Sequence, residues 1–319
     1  MMSLFPFFIW FLISSIIMSL STSSLFFLWI CLEINMMSFI PLMFSKNSLA
    51  MNSIMMYFLI QSSASSIYIF SVSSSILNSS LFMYFNTLTL ISMLIKLGAA
   101  PFHMWFPQVS EGLSFNTLSI LLTFQKMIPL HILSLFKNNC MLLPIIFSTF
   151  IGSFGGFNQM SIRKILAFSS IAHLAWILSL QMISNTFWLI YLSIYSFIIT
   201  MIITIINFYP VNTSYFSKKN KLDINLIFII MLLSLGGMPP TMGFVMKWMS
   251  LKFILNSMII ITIPLIMSSL INLFFYLRLS YNAMMKYMNF YSWEKSSLSK
   301  FLMIITIQIM VIFLLISTI

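Results

Sequence analysis

Four charged side chains stand inside long apolar runs of this chain, and these residues have the most chemistry to offer. Glu33 lies in Leu-Trp-Ile-Cys-Leu-Glu-Ile-Asn, Lys96 in Leu-Ile-Lys-Leu-Gly, Lys126 in Phe-Gln-Lys-Met-Ile-Pro and Lys247 in Gly-Phe-Val-Met-Lys-Trp. A charge at the centre of a membrane-spanning helix is unfavourable by roughly 2.5–3.5 kcal/mol on insertion scales, so such residues mark ion pathways by default. The bland alternatives are a structural ion pair, or a lysine that snorkels to the interface. Lys247, near the nominal end of its run, is open to the second. Lysine suits proton transfer because desolvation favours its neutral form and a neighbouring carboxylate its charged form. Moving a carboxylate or a second lysine nearer or farther therefore loads or unloads the proton. One glutamate and three lysines can form a relay switched electrostatically.

The other candidates are histidines. His131 and His173 fall inside apolar runs, and His103 follows Pro101. An intramembrane histidine either relays protons or sits neutral, hydrogen-bonded between helices; His131 and His173 are the possible relay members. Cys31 and Cys140 are far apart and form no C-x-x-C. Iron–sulfur clusters usually need four thiolates, and no haem or zinc ligand set is visible, so both cysteines read as small buried apolar residues. Electron transfer within the chain is not expected. No P-loop, no G-x-G-x-x-G after a strand and no nucleophile motif occurs.

The elements that must position these residues are helices in lipid. Of the 319 residues, 61% are hydrophobic and 6% charged, against about 25% charged in soluble domains. Apolar runs of about 20 residues recur throughout, each able to cross a hydrocarbon core of roughly 30 Å. Lipid cannot satisfy backbone polar groups, so spans must be helices or closed barrels. Continuous runs such as 4–20 and 301–319 argue helix over the alternating strands of a barrel. The reading is an all-α integral membrane protein of about eleven spans, near 3–20, 25–44, 49–73, 81–106, 114–135, 140–157, 162–182, 186–208, 225–250, 254–283 and 300–318. The first has no basic n-region or small-residue cleavage site, so it reads as a span and not a removed signal peptide.

Two spans carry helix breakers, Lys96-Leu-Gly-Ala-Ala-Pro101 and Gly236-Gly-Met-Pro-Pro240. Broken backbone at membrane depth is tolerated where it lines a cavity or is buried in protein. Interrupted segments in matching halves point to the ion site of a transporter. These fall five spans apart, an odd offset that implies an inverted repeat of about 1–135 and 140–283 within one domain, 1–319, plus an extra C-terminal helix at 300–318. Gly152 and Gly156 form a G-x-x-x-G that reads as helix packing.

Loop charge tests the count. With eleven spans, the side holding the N-terminus collects Lys46, Arg163, Lys164, Lys218, Lys219, Lys221, Lys286, Lys295 and Lys300, and the other side only Lys137 and Lys252. The positive-inside rule makes the first side the one where the chain is synthesised. It also accounts for the net charge of +11, because scattered bases among apolar helices are not a nucleic-acid footprint. Heavy use of Met, Ile, Phe and Ser over Ala, Val and Gly fits an AT-rich, organellar gene. The N-terminus would then face the mitochondrial matrix and the C-terminus the intermembrane space.

Several stretches carry a family resemblance. They are Leu32-Glu33-Ile-Asn35, Lys96-Leu-Gly-Ala-Ala-Pro-Phe-His-Met-Trp105-Phe-Pro107, Phe124-Gln-Lys126, Asn158-Gln-Met-Ser-Ile-Arg-Lys164, Ser169-Ser-Ile-Ala-His-Leu-Ala-Trp176 and Leu235-Gly-Gly-Met-Pro-Pro-Thr-Met-Gly-Phe-Val-Met-Lys-Trp248. In order and over most of the chain, they resemble subunit 2 of respiratory NADH:ubiquinone oxidoreductase (complex I), in an animal mitochondrial, arthropod form. The resemblance implies a membrane-arm subunit of the inner membrane with an antiporter-like fold and one proton channel. It maps the pumping pair to Glu33 and Lys96, the central lysine to Lys126 and the exit-side lysine to Lys247. It implies that NADH, FMN, iron–sulfur clusters and ubiquinone are bound by other subunits. The implied partners are other membrane-arm subunits, including neighbouring antiporter-like ones, and the lipid bilayer. Two rivals stay open: a stand-alone cation/proton antiporter, and a structural membrane subunit whose buried charges only hold helices together.

Overall fold

The computed structural model describes residues 5–77, 82–136, 139–183, 186–208, 222–239 and 241–284. The span expected at 300–318, the lysines of the 209–221 loop, and Lys137, Pro240, Lys286, Lys295 and Lys300 lie outside the described residues. All regular structure among the described residues is helical. The elements are α1 (Phe5–Ser21), α2 (Leu25–Met43), α3 (Ser48–Leu77), α4 (Phe82–Leu97), α5 (Trp105–Gly112), α6 (Phe115–Leu122), α7 (Phe124–Leu135), α8 (Leu142–Phe157), α9 (Ile162–Ile183), α10 (Phe187–Phe208), α11 (Leu222–Gly236), α12 (Met242–Ser257) and α13 (Ile259–Met284). Six helical runs are long and apolar enough to cross a membrane, α6 and α7 together making up the run Phe115–Leu135. Large apolar side chains stand exposed on the outer faces, for example Trp10, Ile17, Leu49 and Ile260. This is the surface expected of a chain solvated by lipid and not by water.

α9 is the centre of the bundle. Nearly all its residues from Ile162 to Gln181 are buried, and a helix apolar on every side belongs in the interior. It packs against α5, α8, α10, α12 and α13. Lipid tails are as apolar as leucine, so helix association in a membrane relies on close packing and hydrogen bonding. Small residues provide the first. A side chain at Gly152 of α8 would come within 2.6 Å of the Ala172 backbone on α9, and one at Gly155 within 2.4 Å of the Phe168 ring. The glycines of the G-x-x-x-G segment are thus spent on packing inside the chain: Gly156, the second glycine of the motif, faces Phe275 of α13. Serines provide the second. Buried Ser15, Ser71, Ser92, Ser169 and Ser179 each donate to the carbonyl three residues earlier, which satisfies the hydroxyl within its own helix.

Helix ends are fastened to one another. Arg278 of α13 donates to Phe157 O at 2.7 Å and to Gln159 O at 2.8 Å, capping the last turn of α8. Arg163 donates to Glu111 O at 2.9 Å, while Lys164 pairs with the Glu111 carboxylate at 2.7 Å, so the end of α5 is held to the start of α9. That pair is partly exposed, 30% and 45%, and contributes about 0–1 kcal/mol. Asn207 bonds Asn116, and Phe187 stacks on Phe253 with centroids 4.1 Å apart. Each of these contacts joins ends that the loop-charge reading puts on the same side. Arg278, which that reading left unassigned, falls with the basic side.

Two expectations need correction. The stretch 114–135, read as one uninterrupted helix, is divided at Thr123 (φ −117°, ψ −77°) into α6 and α7. Thr123 turns its hydroxyl back to Ser119 O at 2.7 Å, a side-chain bond that competes with the helix ladder. Cys31 is buried as expected, but Cys140 is exposed. Cys140 lies in a short 3-10 turn, Asn139–Met141, outside the helices that would cover it.

Candidate functional site

Both glycine-rich breaks end their helices in the same way. At the end of α4, Gly98 (φ 66°) donates to Ile95 O and Ala99 to Leu94 O, each at 3.1 Å. At the end of α11, Gly237 (φ 84°) donates to Ser234 O at 3.1 Å and Met238 to Leu233 O at 3.2 Å. This is the Schellman cap, whose left-handed residue glycine adopts without penalty. The next helices are α5, which begins at Trp105, and α12, which begins at Met242. Side chains also reach the carbonyls at these ends, whether left free by the cap or, like Ile95 O, already used in it. Gln61 Nε2 donates to Lys96 O at 3.2 Å and the Trp105 indole to Ile95 O at 3.1 Å. Lys247 Nζ donates to Gly236 O at 2.7 Å.

The three lysines are all inside the protein, with 6%, 2% and 7% of Lys96, Lys126 and Lys247 exposed. Lys247 therefore does not snorkel: it bends back to the C-terminal carbonyl of α11, where the helix dipole favours a cation by up to about 2 kcal/mol. Lys96 occupies the last turn of α4. Lys126 sits in the first turn of α7, its Nζ 3.4 Å from Ser170 O. It stands over two rings, 5.2 Å from the Phe106 centroid and 5.7 Å from that of Tyr195. Desolvated cation–π contacts of this kind contribute about 2 kcal/mol, so an ammonium here is held without a carboxylate. Glu33 is half-buried. Among the described residues the salt bridge is that of Lys164 with Glu111, so Glu33 and Lys96 are not in ion-pair contact.

Lys96 and Lys126 face a common small cavity, with room on the scale of one water and lined also by Tyr57, Gln61, Trp105, Phe106 and Gln125. Beyond Lys126 the line continues on α9. His173 is 1% exposed, lies within electrostatic reach of both Lys126 and Lys247, and shares a 2.8 Å hydrogen bond with the Tyr191 hydroxyl through Nδ1. Its Nε2 is buried with no hydrogen-bond partner among the described residues. The structure thus brings Lys96, Lys126, His173 and Lys247 into one interior line, with Glu33 on the neighbouring α2. His131 is only partly buried, and its Nδ1 has no partner among the described residues. His103, in the stretch after α4, bonds Pro101 O at 3.2 Å. No group of His, Cys, Asp and Glu among the described residues could hold a metal.

Sequence reasoning assigned no role to the amides. Asn35, Gln61 and Gln125 are polar residues in apolar runs, a signal of the same kind as the lysines but weaker, because an uncharged amide is cheaper to bury. Glu111 and Arg278 also went without a role and Arg163 counted only as loop charge, since their partners are remote in sequence.

An all-helical bundle with lipid-type outer faces, two capped helix breaks and an interior line of lysines and histidine defines an ion-translocating membrane protein. The chain belongs to the family described as NADH:quinone oxidoreductase/Mrp antiporter, transmembrane, which matches residues 22–272. It is similar to NADH-ubiquinone oxidoreductase chain 2 of Anopheles gambiae, 43% identical over 288 residues that make up 86% of this chain and 84% of that one. The same protein of Rhipicephalus sanguineus is 41% identical over 276 residues, 85% of this chain and 87% of that one. Among solved structures, a chain of respiratory complex I from Thermus thermophilus with bound aureothin superposes with a TM-score of 0.77 at 18% identity, covering 88% of this chain and 70% of that chain. A chain of the Mrp complex from Dietzia gives 0.73 at 16% identity, covering 85% and 59%. At these identities the likeness is one of fold.

Proposed function

We propose that the chain is a proton-translocating membrane-arm subunit of NADH:ubiquinone oxidoreductase in the mitochondrial inner membrane. Protons move along Glu33, Lys96, Lys126, His173 and Lys247. The observation that carries this reading is the burial of three lysines in the interior with no carboxylate in contact among the described residues. Among the described residues these lysines are not structural ion pairs, and Lys126 and Lys247 are held by carbonyls or rings that tolerate both the neutral and the charged form. The unpartnered Nε2 of His173 offers a proton acceptor between Lys126 and Lys247. When Glu33 approaches Lys96, the carboxylate favours the ammonium; when it withdraws, the buried ammonium loses its support and the proton passes toward Lys126. His131 stands aside from this line and drops to a second-rank candidate. The chain holds no redox cofactor itself, so the drive comes from flavin- and cluster-bearing subunits packed against its apolar outer faces.

The finer architecture belongs to the same reading: eleven spans, those at 81–106 and 225–250 interrupted, in an inverted repeat. The helix-end contacts of Arg278, Arg163, Asn207 and Phe187 support the alternation, because each joins ends assigned to one side. The basic side faces the matrix. Cys140 is exposed near the other side and Cys31 is buried, which gives a direct check. A membrane-impermeant maleimide added to intact mitoplasts is expected to label the peptide containing Cys140 and to leave Cys31 unmodified. Labelling of Cys140 only after the matrix is opened would reverse the orientation.

The function itself is tested by the company the chain keeps. Isolated in mild detergent, it is expected in a large particle that contains flavin and iron–sulfur clusters and oxidises NADH. A lone monomer that exchanges cations for protons in vesicles would install the stand-alone antiporter instead.

A further inference from the structure

The cavity between Lys96 and Lys126 is crossed by hydrogen bonds that the proton path does not itself require. The Tyr57 hydroxyl of α3 donates to Gln125 Oε1 at 3.1 Å, and Gln125 Nε2 donates to Asn35 Oδ1 of α2 at 2.9 Å. Tyr57 is 1% and Asn35 2% exposed. Gln125 adjoins Lys126, and Asn35 is two residues from Glu33 on the same helix. One turn along α3 from Tyr57, on the same face, Gln61 holds the Lys96 carbonyl. A single face of α3 therefore touches the surroundings of both lysines.

The helix turn that carries Lys126 needs such support. It follows the division at Thr123, and the Lys126 N–H reaches only three residues back, to Thr123 O at 3.2 Å. Pro129 lies inside α7. It has no N–H to return to the carbonyl of Gln125. The first turn of α7 is thus weakly held on both sides by its own backbone, and side chains must fix its orientation.

We infer that Gln125 is a positioning residue, which through Asn35 and Tyr57 fixes the Lys126 turn to the helices bearing Glu33 and Gln61. A movement of α2 that carries Glu33 toward or away from Lys96 pulls on Gln125 through Asn35. The bridge couples the helix that carries the Glu33 carboxylate to the turn that carries Lys126. Displacement of a transfer group by about 1 Å can slow a reaction about 100-fold, so a short bridge has leverage on the relay.

The inference rests on the proton-path reading above, and the experiment separates the two. Gln125→Met, Asn35→Leu and the double variant are made in the assembled complex, each close to the original volume, with Tyr57→Phe as a milder cut that keeps the ring packed on Phe39 and Trp105. Complex content, flavin content, protons moved per NADH oxidised, and KM and kcat for quinone are measured in reconstituted vesicles. Each single variant is expected to lower kcat and the proton ratio together, by about tenfold for Gln125→Met, with KM unchanged. The double is expected to fall no further than Gln125→Met, because both cut the same unit. Full proton ratios in Gln125→Met and Asn35→Leu, or effects that multiply in the double, would overturn the bridge. Should either variant fail to assemble, Tyr57→Phe decides: a normal proton ratio there removes the role given to Gln125. Lys126→Met run alongside distinguishes the failures. If it pumps normally the path reading is lost, and if it alone is blocked the bridge is lost while the path stands.

Discussion

A complex carrying Lys126→Met is expected to assemble with its full complement of flavin and clusters, yet lose coupled turnover by about 100-fold or more, the low end of what a positioned proton-transfer group contributes. Assembly survives because methionine puts an apolar side chain of similar length where the ammonium has no carboxylate partner among the described residues, so no buried counter-charge is stranded. The pocket also suits it. Phe106 and Tyr195, whose rings now flank the ammonium, make favourable contacts with a thioether. What is lost is the lysine that faces both the shared cavity and Ser170 on the central helix. Lys126→Arg keeps the charge and should also fail to pass protons, since arginine is effectively never deprotonated in proteins. The measurement is NADH oxidation together with dye-reported proton uptake in vesicles. Full pumping by an assembled Lys126→Met complex would return the lysine to a structural role.

The lysines were legible in the sequence because a charge in an apolar run is conspicuous without knowing its neighbours. The two Schellman ends were legible because glycine and proline advertise them, at Gly98 and Pro101 and again at Gly237 and Pro239. The division at Thr123 was not. Threonine is ordinary in a membrane helix, and the same back-bond four residues long forms inside unbroken helices, as Ser153 does to Thr149 O, so nothing local marks Thr123 as a division. The Asn35–Gln125–Tyr57 bridge could not be read either, since it depends on which faces of α2, α3 and α7 meet. The same limit hid Arg278, whose carbonyl partners lie at and just beyond the end of α8, five helices earlier in the chain. The G-x-x-x-G segment was correctly read as packing, but only the fold shows that its partners are α9 and α13 of the same chain. Charge placement and backbone breaks are properties of one segment and can be read locally. Capping, bridging and close approach are properties of pairs of segments.

Gly243 is the position where that second kind of property should matter most. It lies in the first turn of α12, and an added Cβ would stand 1.6 Å from the Ser234 carbonyl oxygen of α11. No rotamer can relieve a clash between two backbones, so even Gly243→Ala forces the start of α12 away from the end of α11. The same two ends form the seat of Lys247, whose 2.7 Å bond to Gly236 O spans the gap. Separating them leaves a buried ammonium and a buried carbonyl both short of a partner, at about 1–3 kcal/mol for each group. The expected result is a steep loss of assembled complex, and an absence of coupled pumping in whatever assembles. Gly156→Ala serves as the comparison, because its added Cβ meets only the edge of the Phe275 ring at 3.1 Å, and that side chain can give way. Quantifying assembled complex on native gels, alongside proton uptake per NADH oxidised, separates the two positions. Normal assembly and pumping in Gly243→Ala would mean that α11 and α12 approach less closely than the structure places them, and that Lys247 is held by something other than the end of α11.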